Sequence, residues 1–267
     1  VFWNLRRCGA RCEKKTGSQN KKKSDYRILI LSFIKNSLKK NFKESYKEIY
    51  ESKPIMKFFT FSVYLPKPKI EKDKIELDKN YFNAVFSIYD NKRFIEFYNS
   101  FNSMIIKNEN KENSYPLKNN KMELKNITMV NEKNIMSNRV RIKFLSPLVL
   151  RNHKEITINK KRKGKDIYFD FNDSDFNEQI NYSVSRLIKD LKLNGVNSNI
   201  KLKPYNNLAR KTVVSFKNIL INSSIGEYIL EGDSEFLNIL YKTGIGSRRS
   251  EGFGMFEVME ELKSEEG

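Results

Sequence analysis

Hydrophobic spacing changes period repeatedly along this chain, and the order of those changes restricts the fold more than any single motif does. From Asp25 onward, Ile28, Leu31, Ile34, Leu38, Phe42, Tyr46 and Ile49 recur every three or four residues, the period of an amphipathic helix with Asp25 as its cap. Phe59, Phe61, Val63 and Leu65 then alternate with Thr60, Ser62 and Tyr64, so the period drops to that of a strand, which Pro66 and Pro68 end. A second strand through Asn83 to Tyr89, a helix carrying Phe94, Phe97, Phe101 and Ile105, and a strand from Met122 to Val130 follow. After a polar join at Asn131 to Asn138 the order restarts, with a strand from Arg139 to Leu150 and a helix from about Ser174 to Leu193. Strands at Thr212 to Asn222 and Glu227 to Leu230, a helix from Ser234 to Lys242 and a last strand from Met255 to Met259 complete the chain.

The two halves read αββαβ and βαββαβ, a repeat of topology without a repeat of sequence. The predicted fold is α+β, with two tandem ferredoxin-like (βαββαβ, RRM-like) domains over 25–135 and 136–267. Residues 1–24 contain no alternating apolar run, so a loose basic leader is expected there, and the first strand of the first domain is expected to be missing or degenerate.

Charge narrows the partner. The chain carries 51 Lys+Arg against 32 Asp+Glu, a formal net charge of +19, which suits a partner rich in phosphates and points to nucleic acid. No segment approaches the roughly 20 apolar residues that cross a bilayer, and the run Ile28 to Ile34 is short, closed by Lys35 and without a small-residue cleavage site. No membrane partner and a cytoplasmic location are expected. Cys8 and Cys12 are the only cysteines and His153 the only histidine, so neither a disulfide framework nor a structural zinc site is predicted. Asp170, Asp173 and Asp175 could hold a divalent ion, but an Asp-rich loop ahead of a helical pattern more often caps it, and Asp173 or Ser174 is read in that role; no metal or other cofactor is called.

The glycine-rich stretch 244–254, Gly244-Ile245-Gly246-Ser247-Arg248-Arg249-Ser250-Glu251-Gly252-Phe253-Gly254, joins the last helix to the last strand. Glycine permits positive φ and close backbone approach, so such a loop can turn amides and guanidinium groups toward a phosphate chain; the alternative is a helix C-cap followed by an ordinary turn. It lacks the Gly-Lys-Ser/Thr ending of a P-loop. It also has Arg249 where a dinucleotide fingerprint needs glycine.

The segment Leu240 to Val258 that contains this loop resembles the signature of the CRISPR-associated endoribonucleases that process repeat RNA, the Cas-six type of the repeat-associated RNA-binding superfamily. Leu31-Ser32-Phe33-Ile34-Lys35 leading to Phe58-Phe59-Thr60-Phe61-Ser62, and Leu145-Ser146-Pro147-Leu148-Val149, resemble the same family, so the likeness runs over residues 25–260. The resemblance implies a metal-independent nuclease that cuts a CRISPR transcript once per repeat. In that chemistry the ribose 2′-OH attacks the adjacent phosphate, leaving a 2′,3′-cyclic phosphate and a 5′-OH. It implies CRISPR repeat RNA as partner, with an interference complex as a further one, and allows a monomer or a homodimer. The RNA-contacting candidates are Gly244, Gly246, Ser247, Arg248, Arg249, Gly252 and Gly254, read from the loop itself, with Arg151 and His153 in the loop expected after the second domain's first strand, where His153 could contact RNA or simply be exposed.

Many family members carry a Tyr on the first helix, a His at or beyond its end and a Lys before the next strand. Here Lys35 stands at the Tyr position, Tyr50 at the His position and Lys57 near the Lys position, so the usual general base is missing. With reference pKa values of about 10 and 10.4, Tyr and Lys are better acids and charge stabilisers than bases at neutral pH. Each has a plainer reading: Tyr50 as a packing residue beside Tyr46 and Ile49, the lysines as solvated surface, and His153 as a polar loop residue. A non-cleaving repeat-binding subunit is therefore the alternative function. A generic RNA-recognition module would show an aromatic RNP1 string, and none is found.

Overall fold

The computed structural model describes residues 2–12, 25–52, 57–71, 75–105, 114–117, 120–158 and 161–263. The chain divides into two compact units, Val1–Glu132 and Lys133–Gly267.

In order, the first unit contains β1 (Phe2–Cys12), α1 (Tyr26–Asn41), α2 (Lys43–Tyr50), β2 (Phe59–Tyr64), the short pair β3 (Lys69–Ile70) and β4 (Ile75–Glu76), β5 (Tyr81–Ile88), α3 (Asn91–Asn102), β6 (Tyr115–Leu117) and β7 (Asn120–Val130). Its main sheet has the order β2-β5-β1-β7-β6. Asp25 caps α1 as expected, its side chain accepting from the Arg27 amide at 3.1 Å. Alternate residues of β5 (Phe82, Ala84, Phe86, Ile88) are buried; the ring of Phe59 stacks on Phe86 and that of Phe97 packs tilted against Phe86, each at 5.2 Å, which fastens α3 to the sheet.

Two expectations for this unit are corrected. The opening strand is neither missing nor degenerate: β1 lies at the middle of the sheet, antiparallel to both β5 and β7. In the sequence the alternation Trp3, Leu5 gives way to Cys8, Ala10 across Arg6-Arg7, and between Leu5 and Cys8 the ladder to β5 slips. A strand interrupted by a bulge and paired only with distant segments leaves little local periodic signal. The remainder of the expected leader, Lys14-Lys15 and Lys21 to Lys23 included, lies outside the described residues. Second, the helix expected from Asp25 to Ile49 is two helices. Phe42 leaves helical geometry (φ −138°, ψ 70°) and packs on the core, while the Asn41 side chain donates to the Ser37 carbonyl at 2.8 Å and satisfies the end of α1.

The second unit contains β8 (Arg139–Phe144), β9 (Leu150–Ile158), β10 (Lys161–Phe169), α4 (Phe176–Leu191), β11 (Lys201–Pro204), β12 (Arg210–Phe216), β13 (Ile219–Ile225), β14 (Glu227–Glu231), α5 (Ser234–Thr243) and β15 (Phe256–Glu261). Its four-stranded sheet has the order β11-β14-β8-β15, and β9–β10 and β12–β13 form separate ribbons. With ribbons and short strands set aside, β8-α4-β11-β14-α5-β15 repeats the wiring of β1-α1-β2-β5-α3-β7. Both sheets then run second, third, first, fourth strand. Both units are mixed α/β.

Three expectations change here. The strand from Arg139 to Leu150 is broken, because the Leu145 and Ser146 amides donate to the Met255 carbonyl (2.8 and 3.2 Å) and Pro147 has no amide to give. The strand at Thr212 to Asn222 is a hairpin that turns at Lys217 and Asn218, both with positive φ (50° and 66°), and the sheet position assigned to it belongs to β11. Lys-Leu-Lys-Pro is too short and polar to announce a strand. Third, Asp175 holds the N-cap position of α4 without a side-chain capping bond, while Asp173 accepts from the Asp170 amide at 2.7 Å. Asp170, almost fully buried, accepts from the Asn172 amide at 3.1 Å and pairs with Lys211 at 2.7 Å. These acids build the turn before the helix instead of capping it.

Candidate functional site

The break at Phe42 folds α2 back on α1, which sets two residues of α2 one turn apart, Tyr46 and Tyr50, beside two residues of α1 one turn apart, Lys35 and Lys39. Lys35 Nζ lies 5.0 Å from the centre of the Tyr50 ring, and Lys57 Nζ, arriving just ahead of β2, lies 4.9 Å from the same ring. Lys39 Nζ stands 5.4 Å over Tyr46, whose ring is 5.4 Å from that of Tyr50. Lys35 and Lys57 therefore meet at the ring of the third residue singled out, Tyr50. Each cation–ring contact stabilises by about 0.5–1 kcal/mol at an exposed site.

The phenol of Tyr50 is placed differently from its ring. Its hydroxyl is buried and has no hydrogen-bond partner. Burial, with a smaller contribution from Tyr46, raises its pKa well above the usual tyrosine value, so Tyr50 is a neutral phenol at any physiological pH.

The glycine loop is held firmly in the second unit. The Ile245 amide donates to the Gly254 carbonyl (2.9 Å), Gly254 to Pro147 (2.9 Å) and Ser247 to Val149 (2.7 Å), so the loop lies along the segment between β8 and β9. Gly246 and Gly254 have positive φ (87° and 68°), and added Cβ atoms would stand 2.5 Å from the Val149 carbonyl oxygen and 1.9 Å from that of Ile245. Gly244 and Gly252 also have positive φ, and Phe253 is fully buried, its ring edge-on to Phe216 at 5.3 Å.

The two loop arginines are engaged by the protein itself. Arg249 is buried, its guanidinium donates to the Gly244 carbonyl at 3.4 Å, and desolvation lowers its pKa to about 10, still well above neutrality. Arg248 sits in the left-handed region (φ 59°), bonds Glu251 and the Tyr168 hydroxyl at 2.9 Å each, and approaches Asp166 at 3.6 Å. Asp166 also holds Arg151 at 3.2 Å, and Lys217 pairs with Glu251. Arg151 and His153 stand on β9 and not on a loop, with His153 opposite Asp166 in the ladder to β10. Lys217, Tyr168, Asp166 and Glu251 were not singled out from the sequence. Only the turn-forming Lys217-Asn218 pair carried a local signal.

Among the described residues no group of three or more His, Cys, Asp or Glu is arranged to hold a metal ion, and no helix is long and apolar enough to cross a membrane.

Residues 130–258 match the family model of the CRISPR associated protein Cas6, C-terminal region. No curated protein matches the sequence. Among solved structures, a Cas6-related protein from Pyrococcus furiosus superposes with a TM-score of 0.77 at 16% identity, covering 98% of this chain and 99% of that one. A RAMP protein described as binding different RNA substrates gives 0.75 at 16% identity over 97% and 99% of the two chains. A further CRISPR associated protein Cas6 gives 0.69 at 18% over 97% and 99%. At such identities the structural likeness is one of fold, and the loop-bearing half adds the family match. The second unit thus matches the C-terminal region of the Cas6-type CRISPR-associated family, and the chain as a whole has the fold of Cas6-related proteins.

Proposed function

We propose that this protein binds CRISPR repeat RNA and cuts the precursor transcript within each repeat without a metal ion, acting in the cytoplasm through two ferredoxin-like units. The observation that carries the reading is the convergence of Lys35 and Lys57 on the ring of Tyr50. In the reaction the 2′ oxygen forms a bond to phosphorus and gives its proton to solvent. The bond from phosphorus to the 5′ oxygen breaks, and one ammonium group donates a proton to that oxygen as it leaves. The other ammonium stabilises the charge gathering on the phosphorane. Tyr50 is a positioning residue, because its ring faces both ammonium groups while its buried hydroxyl is out of reach of solvent. Products with a 2′,3′-cyclic phosphate and a 5′-OH follow.

In the second unit Arg248, Arg151 and Lys217 contact the RNA backbone after phosphates replace Asp166 and Glu251. The backbone of Gly244, Gly246, Ser247, Gly252 and Gly254 shapes the loop around them, His153 lies on the neighbouring strand, and Arg249 holds the loop from within.

The second reading is a repeat-binding subunit that does not cleave, favoured by the absence of a histidine at the corner and by the inert phenol of Tyr50. Incubating the protein with repeat RNA in EDTA and probing the product ends with phosphatase and kinase separates the readings. One cut per repeat with a cyclic phosphate supports the nuclease, and intact RNA at saturating protein supports the binding subunit.

A further inference from the structure

Beside the lysine–tyrosine corner lies a cleft of about 350 Å³ with Lys57 on its wall. Its apolar lining comes from Ile49 at the end of α2, Phe58 and Phe59 at the start of β2, and Ile88 at the end of β5. Phe59 and Ile88 belong to the buried core, so the floor is rigid. The rim is polar and of mixed sign. Arg93 bonds Glu96 at 2.9 Å and is tied to Glu48, and Asp90 accepts from the Arg93 amide at 2.7 Å.

We infer that this cleft receives an unstacked nucleobase of the single-stranded RNA whose phosphate lies at Lys57. The inference rests on the corner facing RNA, as proposed above. Sequence-reading RNA modules splay single-stranded bases onto aromatic side chains and bond their edges with polar groups. Small-molecule sites likewise combine a mostly apolar wall with a few placed polar groups in a volume of about 300–1,000 Å³. The cleft has each of these parts: phenylalanine and isoleucine for the faces of the base, carboxylates of Glu48 and Asp90 as acceptors, and Arg93 and Lys57 as donors. Lys57 belongs to both the corner and the cleft, so a nucleotide whose phosphate meets this lysine has its own base, or its neighbour's, at the opening. Cleavage would then depend on the nucleotide next to the cut, even though the corner itself contacts only phosphate and ribose.

The test uses the intact wild-type protein and follows isoleucine methyl signals by NMR. The probes are single-stranded hexaadenylate and a hexameric ribose-phosphate strand without bases. Hexaadenylate is expected to shift the Ile49 and Ile88 methyl signals to saturation through ring currents, while Ile221 in the second unit stays unmoved. The strand without bases should leave Ile49 and Ile88 in place and bind about tenfold more weakly, the loss expected for one stacked base. Ile49 and Ile88 signals that stay still with hexaadenylate, or move equally with both strands, would overturn the inference. Ile49→Trp, checked by thermal melting, should weaken hexaadenylate binding about tenfold by filling the cleft. The readout is binding, so it stands apart from the catalytic reading, which fails separately if Lys35→Ala and Lys57→Ala cleave repeat RNA at the wild-type rate.

Discussion

The corner of the first unit and the glycine loop of the second hold their cations in opposite ways. At the corner, Lys35 and Lys57 lean on the ring of Tyr50, a contact that orients their ammonium groups. At the loop, Arg248 and Lys217 are bound to Glu251, and Arg151 to Asp166, so the positive charge is largely neutralised in the free protein. A carboxylate partner must be displaced before phosphate can bind, whereas a ring partner need not be. On the proposed function, the first unit supplies the reactive contact and the second a gated grip.

The largest effect that can break this comparison is on chemistry at the corner. Lys57→Ala, and separately Lys35→Ala, should lower single-turnover cleavage by about 10²–10³-fold, the usual loss for one preorganised charge donor. For Lys35→Ala, repeat affinity should change by less than about threefold, as expected of a group that acts on the transition state. A fall in affinity as large as the fall in rate would make the corner a binding surface.

Next is the rigidity of the loop. Gly254→Ala places a Cβ 1.9 Å from the Ile245 carbonyl oxygen at a φ of 68°. The left-handed backbone alone costs about 1–2 kcal/mol, and with the clash a total near 3 kcal/mol is expected. That corresponds to a melting temperature lower by roughly 10 °C for a chain of this size. A variant that melts like wild type would mean that the loop yields easily and does not preset the arginines.

A smaller effect reads the gate. Burial pushes the Glu251 carboxyl up, but hydrogen bonds from Lys217 and Arg248 outweigh it, and the folded pKa is depressed. The resulting stability is present above the unfolded value of about 4.3 and is lost as pH falls through the folded pKa. Glu251→Gln should therefore lower the melting temperature by about 2–4 °C at pH 7 and by progressively less as the pH falls below the unfolded value, while raising RNA affinity about threefold to tenfold. Weaker RNA binding by this variant would show that Glu251 orders Arg248 for the ligand and does not compete with it.

Most helices and the strands β2, β5, β7, β14 and β15 could be read in the sequence because their period is local: Ile34 and Leu38 are buried on α1 as the spacing predicts, with Ile30 and Phe33 completing the buried face in place of the exposed Ile28, and Phe82, Ala84, Phe86 and Ile88 fall on one face of β5. The strand β1 could not, since its pairing is non-local and its alternation is interrupted at Arg6-Arg7. The meeting of Lys35, Tyr50 and Lys57 was legible only through family resemblance. Lysines are too numerous here to stand out, and the kink at Phe42 that brings them together has no proline or glycine to mark it. The carboxylate grip on Arg248 was invisible for another reason: Asp166 lies on a different ribbon, brought near only by the fold.

The most direct test of the account is the pair Tyr50→Phe and Tyr50→Leu in single-turnover cleavage at saturating protein, with repeat RNA carrying a 2′-deoxy nucleotide at the cut site as the blank. If the ring arranges the two ammonium groups and the buried hydroxyl plays no chemical part, Tyr50→Phe should cleave within about threefold of wild type, and Tyr50→Leu at least about tenfold more slowly with affinity retained. A Tyr50→Phe protein as slow as Tyr50→Leu would make the hydroxyl a reacting group and contradict the account.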